Sequence, residues 1–333
     1  MSQPLPLRTA LKRGSLVAAA NWQVVVVQFA AETLLKVSIA VPVLAGVFLV
    51  AVDLGADAVD LLQGDLLNSA RVVYASLGAS PVALASFIAA VGLVIVGSAI
   101  FTFVTKGGVV RVLVQGEAQA GAIEQPPLRL AGVRRAAAWS IEGFLDGCSH
   151  MSRRYVRLGL LLLGIYAVTG AAYLAFLYAG MRVMSEGGVI AGWPFIALAA
   201  SSALIVWVTL INLVYLLIQM VMAADDVGVR TASRRLARFA YDDARQIIGI
   251  FGVVLVLILL AGAASLLATA GLGLIAFIPL AGFAVLPLQF AAWLVRGLLF
   301  QFLGLTAFTA YLAQYQRYVK GAGAPAPAFV EHD

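Results

Sequence analysis

The sequence predicts an all-α, polytopic membrane protein, and three observations carry that prediction. Hydrophobic residues make up 62% of the 333 and charged ones only 11%, where a soluble chain carries about 25% charge. Several apolar runs reach the roughly 20 residues with which a helix crosses about 30 Å of hydrocarbon. Finally, a basic amphipathic stretch runs into such a segment three times, at Asn21-Trp22-Gln23, Arg154-Tyr155 and Arg245-Gln246. A helix satisfies its own backbone hydrogen bonds where water is absent, and the alternation of a membrane β-barrel is missing.

Each apolar run is followed by a break and a second run, which reads as one unit repeated three times: surface helix, membrane helix, turn, membrane helix. The units span about 7–106, 128–223 and 227–318, within one transmembrane domain of residues 1–320. Crossings are expected at about 24–50, 82–104, 157–180, 194–223, 246–270 and 288–314. The repeat predicts Trp22, Tyr155 and Gln246 at equivalent places at the head-group level. The tail 321–333, rich in Gly, Ala and Pro, is expected to be disordered.

The N-terminal arm, with Arg8, Lys12 and Arg13, does not resemble a cleavable signal, because the apolar run behind it is too long. Between the first two crossings, 53–71 interleaves Asp53, Asp57, Asp60 and Asp65 with leucines, a solvated helix face in preference to a metal site. In 134–151, Ile141, Phe144, Leu145, Cys148 and Met151 recur at helical spacing and predict an interfacial helix. In the third crossing Ala167, Ala171, Ala175 and Ala179 form a small-residue stripe suited to close helix packing. In 227–245 Arg230, Arg234 and Arg238 make one helical face cationic, with Leu236 and Phe239 on another. Residues 272–287, broken by Gly282, Pro279 and Pro287, suggest a short interfacial or re-entrant piece before the last crossing.

Lys and Arg cluster in the N-terminal arm, in 105–157, in 223–245 and in the C-terminal tail. Such an excess marks the cytoplasmic side and predicts both termini there, in the inner membrane. Arg far outnumbers Lys, which points to a GC-rich bacterial genome. The basic pI accordingly implies anionic lipid head groups as partners and not nucleic acid. Arg134, Arg135, Arg153, Arg154, Arg230, Arg234 and Arg238 are the candidate head-group contacts, with a membrane-protein partner or a second copy as further partners.

No catalytic residue, cofactor or metal site emerges. His150 and His332 are the only histidines, Cys148 the only cysteine, and no Gly-rich phosphate loop is present. What stands out is charge inside the crossings: Glu32, Lys36 and Arg296 form a candidate intramembrane polar cluster. Two placements are open. The cluster lies at mid-membrane with Glu32 paired to Lys36, Arg296 or both, or Glu32 and Lys36 lie at the interface and Lys36 snorkels.

The run Arg230-Thr-Ala-Ser-Arg-Arg-Leu-Ala-Arg-Phe leading through Arg245-Gln246 into an apolar helix, with Asn21-Trp22 as its first-unit counterpart, resembles the membrane domain associated with glycerophosphoryl diester phosphodiesterases and related six-helix bacterial families. The closing Thr309-Ala-Tyr-Leu-Ala-Gln-Tyr-Gln-Arg-Tyr is similar to the aromatic, basic end of such proteins. The phosphodiesterase domain has no counterpart, so the resemblance implies only a stand-alone membrane module concerned with lipids or the envelope. Two functions follow: a non-enzymatic membrane or lipid-associated scaffold, or a transporter of a small solute or lipid. Gln28, Asn212, Gln219, Gln289 and Gln301 could line the cavity that the second requires.

Overall fold

The computed structural model describes residues 5–53, 81–185, 192–276 and 281–321. Among these, every regular element is helical: α1 Leu7–Ala20, α2 Trp22–Asp53, α3 Pro81–Gln119, α4 Leu130–Ala136, α5 Ile141–Ser185, α6 Trp193–Asp225, α7 Val229–Asp242, α8 Ala244–Ala276 and α9 Ala281–Gly321. Five stretches are long and apolar enough to cross a membrane: Val91–Gln119, Ile141–Arg182, Trp193–Asp225, Ala244–Ile275 and Val285–Gly321. Leu7–Ala20 and Trp22–Ser38, bent by 79°, raise the number to six if they count as one span. The chain is thus a polytopic all-α membrane protein. The acidic stretch 54–71 and the tail beyond Gly321 lie outside the described residues.

Each short helix leaves its long neighbour at a definite break. At Asn21 the backbone closes α1 by donating to the Val17 carbonyl, 3.2 Å. Its buried side chain donates to the Ala136 carbonyl (2.8 Å) and accepts from the Ala138 amide (2.9 Å), which ties the α1–α2 bend to the α4–α5 connection. At Asp243 the same backbone closure occurs onto the Phe239 carbonyl, 2.9 Å. Between them α7 buries Ala232, Leu236 and Phe239 and turns Arg230, Arg234 and Arg238 outward, as the spacing predicts. Burying a Leu or Phe contributes about 1.5–3 kcal/mol, enough to hold a short helix that would be marginal alone.

The expectation for 134–151 does not hold. Residues 137–140 break the helix, and everything from Ile141 onward continues unbroken into the third long helix. Ser140 sets the break: its hydroxyl accepts from the Gly143 amide at 3.0 Å, an N-cap that starts the helix at Ile141, where the apolar periodicity begins. Trp22 and Gln246 therefore sit at the start of α2 and α8, whereas Tyr155 lies deep in α5, buried, donating to the Gln219 carbonyl at 2.9 Å. Of residues 272–287, where a short interfacial or re-entrant piece is expected, 277–280 lie outside the described residues. Those up to Ala276 complete α8, and Pro287 lies inside α9.

The core gathers at one end of the bundle, where α1, α4 and α7 wrap the ends of α3, α6 and α9. Val109–Val114 of α3, Met220–Met222 of α6 and Ala307–Tyr315 of α9 hold its buried side chains. The last turns of α9 are its hub. Tyr311 donates to the Ile247 carbonyl (3.3 Å), Tyr315 to Asp225 (2.5 Å) and Tyr318 to Asp242 (2.6 Å), so one helix face ties α6, α7 and α8 together. The aromatic tail motif is thus a buried core element. Close helix approach occurs at glycines: Gly107 and Gly108 of α3 meet Gly147, Cys148 and Met151 of α5, and Gly14 of α1 meets α9 at Thr306 and Ala310. The stripe Ala167, Ala171, Ala175 and Ala179, by contrast, is exposed among the described residues. Periodicity identifies a face, but it does not name the face's partner.

Candidate functional site

The long helices bring α2 and α9 side by side, with Phe29 and Trp293 edge to face at 5.6 Å. Between them opens a cleft of about 360 Å³ lined by Glu32, Lys36, Trp293, Arg296, Phe300 and Gln301. All three charged residues singled out from the sequence are therefore in one place. The expected ion pair is absent among the described residues. Glu32 accepts instead from two amides, Gln28 Nε2 at 2.9 Å on its own helix and Gln301 Nε2 at 2.6 Å across the cleft. The helical register explains the substitution. Gln301 lies five residues from Arg296, about 140° around α9 at 3.6 residues per turn. Gln301 turns toward α2 while the Arg296 guanidinium lies over the Phe300 ring at 5.7 Å. On the inner side Lys106 of α3, a residue that sequence reasoning assigned to a loop, lies within electrostatic reach of Glu32 and 5.5 Å over the Tyr215 ring.

Of the five intramembrane amides, two converge on Glu32. Gln28 and Gln301 hold Glu32, Asn212 accepts from the Tyr166 hydroxyl at 2.5 Å, and Gln219 is buried beside Tyr155. Gln289 is half-buried on α9.

At the charged end a second constellation appears that the sequence did not announce. Arg13 of α1 donates to Glu117 (2.5 Å) and Glu124 (2.7 Å), whose side chains are 2% and 5% exposed. Arg317 stands 3.8 Å from Glu124, and Lys12 donates to the Glu124 carbonyl at 2.9 Å. Two buried carboxylates held by one guanidinium fasten the α3–α4 connection to α1 and α9. The partners lie more than 100 residues apart in sequence, which is why no local pattern betrays them. A third knot closes the α6–α7 turn, where Asp226 adopts a left-handed φ of 50°. Asp226 accepts from Arg154 and, at 3.0 Å, pairs with His150. Partial burial raises its carboxyl, but the bonds from His150 and Arg154 and their charges outweigh that and hold it below the usual range. Asp225 is held by Arg235 at 2.6 Å and by Tyr315.

These knots sort the candidate head-group residues. Arg154 is engaged with Asp226. Arg134, Arg135, Arg153, Arg230, Arg234 and Arg238 are all exposed, as are Arg245 and Tyr241 beyond the end of the α7 arginine face. Among the described residues no group of three His, Cys, Asp or Glu side chains is arranged to hold a metal ion. Against known protein families, curated proteins and solved structures, the chain has no match.

Proposed function

We propose that this protein is a membrane module without chemistry of its own, which contacts anionic lipid head groups through its charged end and there supports a partner. The observation that carries this reading is α7: its apolar face is buried in the core while Arg230, Arg234 and Arg238 are presented outward on one helical face. Exposed Trp22 and Tyr241 lie near the starts of α2 and α8, where amphipathic rings favour the head-group level. The start of the described N-terminal segment meets α9 at this end, the Leu5 amide donating to Gln314 at 3.2 Å, which suits a cytoplasmic, positive side of an inner membrane there. Exposed Arg134, Arg135 and Arg153 add to the charged layer. A cation near an anionic surface contributes roughly 1 kcal/mol. The test is lipid preference of the full chain in mixed vesicles, read from tryptophan quenching by brominated phosphatidylglycerol against brominated phosphatidylcholine. Replacing Arg230, Arg234 and Arg238 by Gln is expected to reduce the preference for phosphatidylglycerol, as is high salt. An unchanged preference in the triple variant overturns the reading.

A further inference from the structure

We propose that the cleft between α2 and α9 is a binding site for a phosphate-bearing anion, clamped by Lys36 and Arg296 and entered sideways from the lipid. The argument begins with charge. Glu32 is the only acid among the described residues lining the cleft, and its two oxygens accept from Gln28 and Gln301. Lys36 makes no hydrogen bond or ion pair with another described residue, and the only partner of Arg296 among them is the face of Phe300. Two cations, Lys36 and Arg296, thus line the cleft beside a carboxylate already hydrogen-bonded on both oxygens. Cations in such surroundings are ordinarily matched by an anion, because the desolvation of an unpaired charge is costly.

Distance along the helices excludes one alternative, that both side chains snorkel back to the α1 layer. Lys36 lies 14 residues beyond Trp22, at the α1–α2 bend, and 14 residues of helix span about 21 Å. Arg296 lies 14 residues from Ala310, where α9 touches α1 at Gly14, again about 21 Å. Since α1 turns 79° from the helix that follows it, it lies across the bundle's charged end. Both cations therefore lie about 21 Å along their helices from the α1 layer, beyond the reach of their side chains to it. The walls match an amphiphile: Phe29, Trp293 and Phe300 supply aromatic surface beside the two cations, and a guanidinium forks onto phosphate oxygens. A lipid phosphate and a free phosphate share this chemistry. The site is distinct from the α7 arginines, so the two proposals fail independently.

The experiment titrates the purified full chain, in a neutral detergent, with dioctanoyl phosphatidic acid, dioctanoylglycerol and inorganic phosphate, following heat of binding and the fluorescence of Trp293 against a Trp293→Phe control. One phosphatidic acid per chain is expected to bind, about tenfold or more weakly in Lys36→Gln and in Arg296→Gln, as loss of a charge-assisted hydrogen bond implies. Lys36→Arg should retain binding, and so should the triple α7 variant. Phosphatidic acid binding well below the concentration that inorganic phosphate needs identifies a lipid source; equal binding identifies a soluble one, and either supports the anion site. Dioctanoylglycerol binding as tightly as phosphatidic acid overturns the proposal, as does unaltered affinity in both Gln variants. The fold supplies a second check. Without ligand, Lys36→Gln should be at least as heat-stable as the parent, because no described protein group is left unpaired; a variant that fails to fold shows a protein partner for Lys36 and overturns the proposal too.

Discussion

Gly14→Ala should unfasten α1 from α9, and the structure sets the size of the effect. A Cβ at this position would lie 2.5 Å from the Thr306 carbonyl oxygen and 2.8 Å from the Ala310 amide nitrogen. Both are backbone atoms of α9 and cannot rotate away, so α1 must retreat by most of an ångström to restore ordinary contact. The retreat stretches the link between the Thr309 hydroxyl and the Gly14 carbonyl, 2.9 Å, a hydroxyl already shared with its own helix at Leu305. Overpacking costs about 1–3 kcal/mol, and a lost hydrogen bond about 1 kcal/mol. Against this, Ala is favoured over Gly within a helix by about 1 kcal/mol. The balance is a destabilisation of about 1–3 kcal/mol. Gly164→Ala supplies the control, since nothing lies within 4 Å of its added Cβ and only the helix-propensity gain remains. Thermal unfolding of both variants in the same detergent should move their midpoints in opposite directions relative to the parent. Equal stability of the two would refute the close approach of α1 and α9, and with it the placement of the core at the charged end.

Arg13→Gln leaves the Glu117 and Glu124 carboxylates buried without their main counter-ion, which should cost about 3–5 kcal/mol. The unfolding midpoint should fall well below that of Arg234→Gln, an exposed arginine, and comparable midpoints would contradict the buried knot. Asp226 predicts an acid limit: with its folded pKa held below the unfolded one, its stabilisation is present above about pH 4 and is lost as pH falls through the folded value. Asn keeps the left-handed backbone without the charge, so the stability advantage of the parent over Asp226→Asn should vanish in that acid range, and an advantage independent of pH refutes the pairing.

The long helices were legible because hydropathy reports solvent, and lipid demands apolar side chains over a fixed length whatever the partners. α7 was legible for a related reason: Arg230, Arg234 and Arg238 at four-residue spacing can share only one face, and Leu236 and Phe239 must then turn inward. Sequence separates less well what depends on a single cap. Ser140 stands before Ile141 with no Glu or Gln three residues later to mark the N-terminus, so the start of α5 merged with the amphipathic pattern around it. Partners were the least legible. Glu32 drew attention as a charge, but only the rotation of α9 decides that Gln301 meets it and Arg296 does not. Lys106 counted as one more basic loop residue until α3 proved to continue past it to Gln119.

The distribution of burial then explains why the cleft lies where it does. At the charged end, helices are held by apolar burial and by side-chain bonds such as those of Asn21, Arg13 and Tyr315, which require surroundings where apolar surface gains by contact. Farther along, Leu198, Ile205, Leu259, Leu260, Leu266 and Leu267 are exposed. In hydrocarbon that exposure carries no hydrophobic penalty, and helices there associate only through packing and interhelical hydrogen bonds. The hand-over on α9 falls between Gln301, which is half-buried, and Leu305, where the buried run begins. A cleft at that level is rigid on its inner side, where the amides of Gln28 and Gln301 fix Glu32, and open on its outer side, where α2 and α9 face lipid. Such an arrangement lets an amphiphile approach laterally and meet preorganised charge at the end of its path. Loosening the charged end should therefore reach the cleft through α9, while changes in the outer halves of α5 and α8 should leave it as it is.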